Sequence, residues 1–158
     1  MHSIVTYISQ QLTQRGQQLA VAESCTGGYL SKVCTDMPGS SQWFDRGYIT
    51  YSNQAKIDML GVDAETIGEF GAVSQETVTA MAEGVLRQCR AHWSMAISGV
   101  AGPGGGSLIN SVGCVWFGWG QKNGVITTHK QHFSGDRDEV RMQAVEFALL
   151  ELKRLIAV

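Results

Sequence analysis

The stretch Leu-Ala-Val-Ala-Glu-Ser-Cys-Thr-Gly-Gly, residues 19–28, decides the fold of this chain. Its first four residues form a short apolar run, which predicts a buried strand, and its two glycines permit a tight turn. A helix is predicted directly afterwards, over residues 29–35, because Pro38 and Gly39 then interrupt the chain. This strand, turn and helix begin an alternation of strands and helices along the sequence.

The alternation continues through most of the chain. The other predicted helices cover residues 3–15, 53–60 with an N-cap at Asn53 and a stop at Gly61, 75–89 with a cap at Ser74, and 137–156. The other predicted strands cover residues 48–51, 93–98, 112–119 and 125–133. Asn123-Gly124 between the last two is a strong hairpin signal. We therefore expect an α/β fold, a three-layer α/β/α sandwich with a mixed, mostly parallel sheet that ends in an antiparallel hairpin.

The composition is that of one globular domain, residues 1–158. Hydrophobic residues make up 44% of the chain and charged residues 16%, so a core can form without cross-links. The formal net charge of −2 and the lack of a basic run give no support to nucleic-acid binding. No apolar run resembles a membrane span or a signal peptide, so we expect a cytoplasmic protein with no membrane partner.

Neither the cysteines nor the histidines have the spacing of a metal site. The four cysteines include no Cys-x-x-Cys pair, and His129 and His132 lie three apart in a predicted strand, which places them on opposite faces. We expect reduced thiols and no bound metal.

The glycine turn after the first strand is the first candidate site. Backbone N–H groups at the start of a helix lack partners within the helix, and they suit a phosphate or an acyl-transfer oxyanion. Ser24 stands just before these amides as a candidate nucleophile, although a serine here also serves as an ordinary helix cap. Cys25 is the competing nucleophile, because a helix start lowers a thiol pKa.

The second candidate site is the segment from Tyr51 to Lys56. A serine nucleophile needs a base, and a lysine is one only when burial or a positive neighbour has lowered its pKa by roughly three units. The alternative is a solvated helix lysine. A dehydrogenase signature requires three residues between the tyrosine and the lysine; this chain has four, and no Gly-x-Gly-x-x-Gly follows the first strand.

Two further segments have anion-binding chemistry. Residues 99–106 hold five glycines, which let the backbone approach a ligand and present N–H groups to it. Arg137 and Arg141 are four apart at the start of the last helix, a spacing at which they can form a phosphate fork. A mobile connector and two solvated arginines are the respective alternatives.

Four motifs together resemble the CinA C-terminal-domain family. They are Ala22-Glu23-Ser24-Cys25-Thr26-Gly27-Gly28, Tyr51-Ser52-Asn53 with Lys56, Ser98-Gly99-Val100-Ala101-Gly102-Pro103 and Phe133-Ser134-Gly135-Asp136-Arg137. Their order and spacing are similar to those of the family over nearly the whole chain. The combination is specific, although each motif alone is short.

The resemblance implies hydrolysis of nicotinamide mononucleotide to nicotinate mononucleotide and ammonia, in pyridine-nucleotide salvage. It implies Ser24 as the nucleophile, with Tyr51 and Lys56 as its partners, and no cofactor. Longer members carry an N-terminal pyrophosphatase domain, and we expect that second activity to be absent here.

The substrate-binding residues expected on these grounds come from all four motifs: Thr26, Gly27, Gly28, Asn53, Gly99, Ala101, Gly102, Gly105, Arg137 and Arg141. The oxyanion is expected on amides of residues 26–28 or 99–102. One departure stands out, because Asn110-Ser111 occupies positions where family members often have Lys-Pro.

Two other functions compete with the amidase. One is a non-catalytic nucleotide-binding module on the same fold, and the other is a serine amidase for a different small amide. Self-association into a homo-oligomer is left open by the sequence.

Overall fold

The computed structural model describes residues 1–158. Its helices are α1 (His2–Gln14), α2 (Tyr29–Thr35), α3 (Asn53–Leu60), α4 (Ala64–Phe70), α5 (Gln75–Gln88) and α6 (Arg137–Ile156). Its strands are β1 (Leu19–Glu23), β2 (Phe44–Ile49), β3 (Trp93–Gly99), β4 (Cys114–Gln121) and β5 (Ile126–His132). A turn of 3-10 helix, Ser40–Gln42, precedes β2. The bounds of α2 and α6 agree with the prediction.

The five strands form one mixed sheet in the order β2-β1-β3-β4-β5. β1 pairs in parallel with both β2 and β3, whereas β4 is antiparallel to β3 and to β5. Four strands therefore point the same way and only β4 is reversed. The predicted hairpin is confirmed, and Asn123 adopts the positive φ of 63° that its turn requires.

Helices cover both faces of this sheet. Alternate residues of β1 serve the two sides: Leu19 and Val21 belong to a core with α1, α2 and α6, while Ala20 and Ala22 belong to a second core with α3, α4 and α5. The small alanine side chains let the second helical layer approach closely. The predicted three-layer sandwich is thus confirmed.

The second strand differs from its prediction. The sequence predicts a strand over residues 48–51, but β2 spans Phe44–Ile49, and Tyr51 lies in the loop that follows. β2 is an edge strand with exposed Asp45, Arg46 and Gly47, so its first half lacks the apolar pattern of a buried strand.

Two helices also differ in detail. Ser52, not Asn53, is the N-cap of α3, because its extended backbone lets its hydroxyl accept the amide of Ala55 at 3.0 Å. The short helix α4, capped by Asp63, was not predicted. Among the residues of α4, only Ile67 is buried, which leaves little periodic signal to detect.

Two kinds of feature are not found. No helix has the length and apolar character needed to cross a membrane. No cluster of three or more histidine, cysteine, aspartate or glutamate side chains is placed to hold a metal ion.

The sheet order brings three strand ends to one place. The amide of Ser24, just past β1, donates to the carbonyl of Ile97 on β3, and the amide of Thr50, just past β2, donates to the carbonyl of Glu23. The glycine loop, residues 99–106, begins at the end of β3. Because the carboxyl ends of parallel strands form a natural crevice, the site is expected at this edge.

Candidate active site

A pocket of about 310 Å³ opens at this edge of the sheet. Its walls are Ser24 and Cys25, the segment from Tyr51 to Lys56, Ala72 and Val73, the glycine loop, and Arg137. The charged side chains that line it are Lys56 and Arg137, and no carboxylate does so. The pocket is therefore suited to an anionic ligand.

Lys56 and Ser24 meet at the base of the pocket. The Nζ atom of Lys56 lies 2.9 Å from the Oγ atom of Ser24. The same nitrogen donates to the main-chain carbonyls of Thr50 at 2.8 Å and of Tyr51 at 3.3 Å. A nucleophile and a base within hydrogen-bond reach, with the base oriented by further groups, is the arrangement of an activated serine.

Burial changes the acidity of this lysine. Only 1% of Lys56 is exposed, and no carboxylate forms an ion pair with it. Burial lowers the pKa of Lys56 from 10.5 to about 8, against a weaker opposing influence of Cys25. Lys56 is therefore a neutral amine in about a tenth of the molecules at pH 7, whereas a lysine with the ordinary pKa of 10.5 is neutral in fewer than about one molecule in a thousand.

The neutral amine matches its surroundings. An uncharged lysine has two N–H groups and one lone pair, whereas the ammonium has three donors and no acceptor. The carbonyls of Thr50 and Tyr51 can take both N–H groups, which leaves the lone pair for the hydroxyl of Ser24. The site can therefore hold Lys56 in the form that accepts a proton.

Tyr51 contributes its backbone here and its side chain elsewhere. Its carbonyl contacts Lys56, and also Ser24 Oγ at the longer distance of 3.4 Å. The residue is 59% exposed, and its hydroxyl accepts a hydrogen bond from Arg137 Nη2 at 3.1 Å. The phenol forms no hydrogen bond with Ser24 or Lys56, so the hydrogen bonds with Tyr51 that orient this pair involve its main chain.

Arg137 and Arg141 diverge although they are one helical turn apart. Arg137 spans the mouth of the pocket, because its Nη1 donates to the carbonyl of Gly102 at 2.9 Å while its Nη2 reaches Tyr51. Arg141 instead donates to the carbonyl of Thr26 at 3.0 Å and lies outside the pocket. The structure does not bring the two guanidinium groups into a phosphate fork.

The glycine turn after β1 supplies fewer free amides than its sequence indicates. The amides of Leu30 and Ser31, in the first turn of α2, donate to the carboxylate of Glu23. Gly27 and Gly28 have positive φ angles of 57° and 104°, which a residue with a side chain adopts only at a cost.

The amides of the pocket wall itself remain available. Those of Cys25, Ala101, Gly102 and Gly105 donate to no protein oxygen, and these residues line the pocket. Thr26, Gly27 and Gly28 do not line it. Of the two places expected for an oxyanion, the structure therefore favours the glycine loop, together with Cys25.

Cys25 lies beside Ser24 but has a poor environment for a nucleophile. It is only 6% exposed, and its burial raises the pKa of the thiol to about 11. Because the thiolate is the reactive form, this thiol is nearly all protonated at neutral pH.

A comparison with known proteins assigns the chain to a family. The model of the CinA C-terminal domain matches residues 1–156. The chain belongs to the CinA C-terminal-domain family.

Relatives within this family carry a function in their names. The chain is 49% identical over 149 residues to the nicotinamide-nucleotide amidohydrolase PncC of Enterobacter agglomerans, covering 94% of this chain and 91% of that one. It is 50% identical over 145 residues to the protein of the same name from Escherichia coli strain K12, covering 92% and 88%. A crystal structure of the competence/damage inducible protein CihA from Agrobacterium tumefaciens is 41% identical, with a TM-score of 0.95 over 98% of this chain and 94% of that one.

The structure shows what Asn110 and Ser111 contact, the two residues at the positions where Lys-Pro is expected in family members. The side-chain amide of Asn110 donates to the carbonyl of Val73 at 2.9 Å. The hydroxyl of Ser98 donates to the neighbouring carbonyl, that of Ala72, at 2.8 Å. Both contacts fix one wall of the pocket. Ser111 lies 3.1 Å from His132 Nε2, on the outer side of the loop.

Most residues that the sequence singled out come together in this pocket. Ser24, Tyr51, Asn53, Lys56, Gly99, Ala101, Gly102, Gly105 and Arg137 all line it. Thr26, Gly27, Gly28 and Arg141 lie outside. Glu23 was missed as a residue that organises the site; the available signal was a charged residue that directly follows four residues of a buried strand.

Proposed function

We propose that this chain hydrolyses the carboxamide of nicotinamide mononucleotide to nicotinate mononucleotide and ammonia, as an enzyme of pyridine-nucleotide salvage. The names of the relatives support this substrate class. The observation that carries the chemistry is the 2.9 Å contact between Lys56 Nζ and Ser24 Oγ, with the pKa of Lys56 lowered to about 8. The catalytic unit is one domain, residues 1–158.

The first step forms an ester on Ser24. Neutral Lys56 takes the hydroxyl proton as Ser24 Oγ attacks the carboxamide carbon, and the carbonyl oxygen becomes an oxyanion. Lys56 is then an ammonium held by Thr50 and Tyr51 carbonyls, which supply acceptors for the added charge. When the tetrahedral intermediate collapses, the C–N bond breaks and Lys56 returns its proton to the leaving nitrogen, which departs as ammonia.

The second step releases the acid. Lys56 is neutral again and takes a proton from water, which attacks the ester carbonyl. The bond between that carbon and Ser24 Oγ breaks, and the serine recovers its proton from Lys56. The product is nicotinate mononucleotide, and the enzyme returns to its starting protonation state.

The oxyanion would be held by backbone amides of the pocket wall. Those of Cys25, Ala101 and Gly102 have no protein acceptor, and these residues line the same pocket as Ser24. Amides fixed by the fold stabilise developing charge without reorganising during the reaction.

The phosphate of the substrate would lie toward Arg137. This arginine is the charged residue at the pocket mouth, and the amide of Gly105, which has no protein acceptor, is a further N–H donor in the same pocket. The substrate also carries a pyridinium ring next to the carboxamide. A neutral Lys56 beside that ring avoids the like-charge repulsion that an ammonium would cause.

Ammonia release tests this proposal directly. The protein is assayed with nicotinamide mononucleotide, the corresponding riboside and free nicotinamide, and the expected order of kcat/KM follows that sequence. Binding of the mononucleotide without ammonia release indicates a non-catalytic binding module. Equal kcat/KM values for the riboside and the mononucleotide would assign the pocket to a different small amide.

A further inference from the structure

Glu23 carries a buried carboxylate directly before the proposed nucleophile. The residue is 0% exposed, at the end of β1, and no lysine or arginine forms an ion pair with it. A carboxylate without water is costly unless hydrogen bonds replace its hydration. The residues around Glu23 therefore have to supply these hydrogen bonds.

Four hydrogen bonds do so, two to each carboxylate oxygen. One oxygen accepts the hydroxyl of Thr26 at 2.7 Å and the amide of Leu30 at 2.8 Å. The other accepts the amide and the hydroxyl of Ser31, at 2.9 and 2.7 Å. All four donors lie beyond Ser24 in sequence, on the turn and on the first turn of α2.

The carboxylate replaces the cap that α2 lacks. The N-cap position of α2 is Gly28, which has no side chain. Glu23 reaches across the turn and takes the amides that a cap residue would otherwise satisfy. The two ends of the segment that carries Ser24 are thereby tied to one side chain.

Glu23 also anchors the other side of the site through its backbone. Its carbonyl accepts the amide of Thr50, whose own carbonyl accepts Lys56 Nζ at 2.8 Å. One residue is thus bonded to the nucleophile's turn by its side chain and to the segment that holds Lys56 by its main chain.

We propose that Glu23 is a positioning residue for catalysis, whose carboxylate holds the turn of residues 24–28 so that Ser24 and the amide of Cys25 face the substrate. This assignment rests on the proposed amidase function. Because the carboxylate does not touch Lys56 or the pocket, it acts on the geometry of the turn and leaves the acidity of the base unchanged.

Glu23→Gln is the first test. Each carboxylate oxygen of Glu23 accepts one hydroxyl and one backbone N–H. In the glutamine variant one oxygen becomes an NH₂ group, which faces the N–H of either Leu30 or Ser31. The hydroxyl can rotate to accept a hydrogen bond from the NH₂ group, but the backbone N–H cannot. We expect kcat per folded enzyme to fall 10- to 100-fold, with KM for nicotinamide mononucleotide within threefold. The pH at which kcat/KM is half-maximal is expected to stay at the wild-type value.

Ser31→Ala is a second test, which applies if Glu23→Gln fails to fold. It removes one of the four bonds and is expected to lower kcat three- to tenfold at unchanged KM. Thr35→Ala is the matched control, because Thr35 lies on the same helix and its hydroxyl bonds only to carbonyls of that helix. Its kcat is expected within twofold of wild type.

Amide hydrogen exchange provides a readout that does not depend on activity. In Ser31→Ala, exchange at the hydrogen-bonded amides of Gly27, Tyr29 and Leu30 is expected to rise at least tenfold, while exchange at Met95 in β3 stays as in wild type. If the wild-type chain releases no ammonia, the proposed function fails and exchange alone decides the role of Glu23. In an active enzyme, unchanged kcat per folded enzyme or unchanged exchange in the turn overturns the assignment.

Discussion

The side-chain nitrogen of Lys56 lies 2.9 Å from the hydroxyl oxygen of Ser24, across 32 positions of sequence. The contact exists because β2 pairs in parallel with β1, which brings the residues after both strands to the same edge of the sheet. The buried lysine is held by two main-chain carbonyls, so its place does not depend on a flexible partner side chain.

The proposed nucleophile can be distinguished from its neighbour by two alanine variants. Ser24→Ala is expected to lower kcat for ammonia release by about 10⁴-fold or more, because the acyl-enzyme can no longer form. Binding of nicotinamide mononucleotide, measured by calorimetry, should survive. Cys25→Ala is the matched control and is expected to keep kcat within about threefold; a reversed pattern would assign the reaction to sulfur.

The pKa of Lys56 is expected to set the pH dependence of kcat/KM. In the proposed mechanism the neutral form of Lys56 is the active one, so kcat/KM is expected to rise about tenfold per pH unit below pH 8 and to level off above it. The profile is measured by ammonia release between pH 6 and 9.5. A rate that falls with rising pH through this range would exclude Lys56 as the general base.

Two substitutions of Lys56 separate a proton acceptor from a positive charge. Lys56→Met removes the amine, and Lys56→Arg retains a charge that does not deprotonate in this pH range. Both are expected to lower kcat by about 10²–10⁴-fold. Lys32→Met, an exposed position on α2, serves as the control. A folded Lys56→Arg protein with near wild-type kcat would show that Lys56 acts through its positive charge and not as a proton acceptor.

Much of the fold was predictable because its central elements are strongly apolar. The residues of β1 and the first six residues of β3 are buried, and α6 has both an N-terminal capping box and a continuous buried face. β2 was misplaced since an edge strand needs to bury only part of its surface. α4 was missed because so short a helix buries little.

The site was predictable as a set of residues and less so as an arrangement. Arg137 and Arg141 have the spacing of a phosphate fork, but they donate to different carbonyls. Arg137 donates to the carbonyl of Gly102, and Arg141 donates to the carbonyl of Thr26. Which acceptor an arginine finds depends on loops far away in sequence. The capping role of Glu23 was equally hidden, because its four donors form only after the turn has folded.

Burial of Lys56 also predicts a dependence of stability on pH. Its folded pKa of about 8 lies below the unfolded value of 10.5, so the unfolded chain binds more protons between these values and stability rises with pH there. The free energy of unfolding of Lys56→Met relative to wild type is therefore expected to fall by about 2 kcal/mol between pH 7 and pH 9.5. Urea unfolding at both pH values measures this difference, and a constant difference would contradict the lowered pKa.

The last prediction concerns the mouth of the pocket, where Arg137 bonds to Gly102 and Tyr51. Arg137→Ala is expected to raise KM for nicotinamide mononucleotide by about 10- to 100-fold, as for a lost charged hydrogen bond. Tyr51→Phe removes only the phenol oxygen that accepts a hydrogen bond from the guanidinium and is expected to raise KM about three- to tenfold.

The controls for this prediction are a second substrate and a second arginine. Neither variant should change kcat/KM for nicotinamide riboside by more than about twofold, because that substrate has no phosphate for Arg137 to bind. Arg141→Ala, one helical turn further and outside the pocket, should leave KM for both substrates near the wild-type value. If Tyr51→Phe instead lowers kcat equally for the two substrates, the phenol acts in proton transfer, and its observed bond to Arg137 is not its catalytic contact.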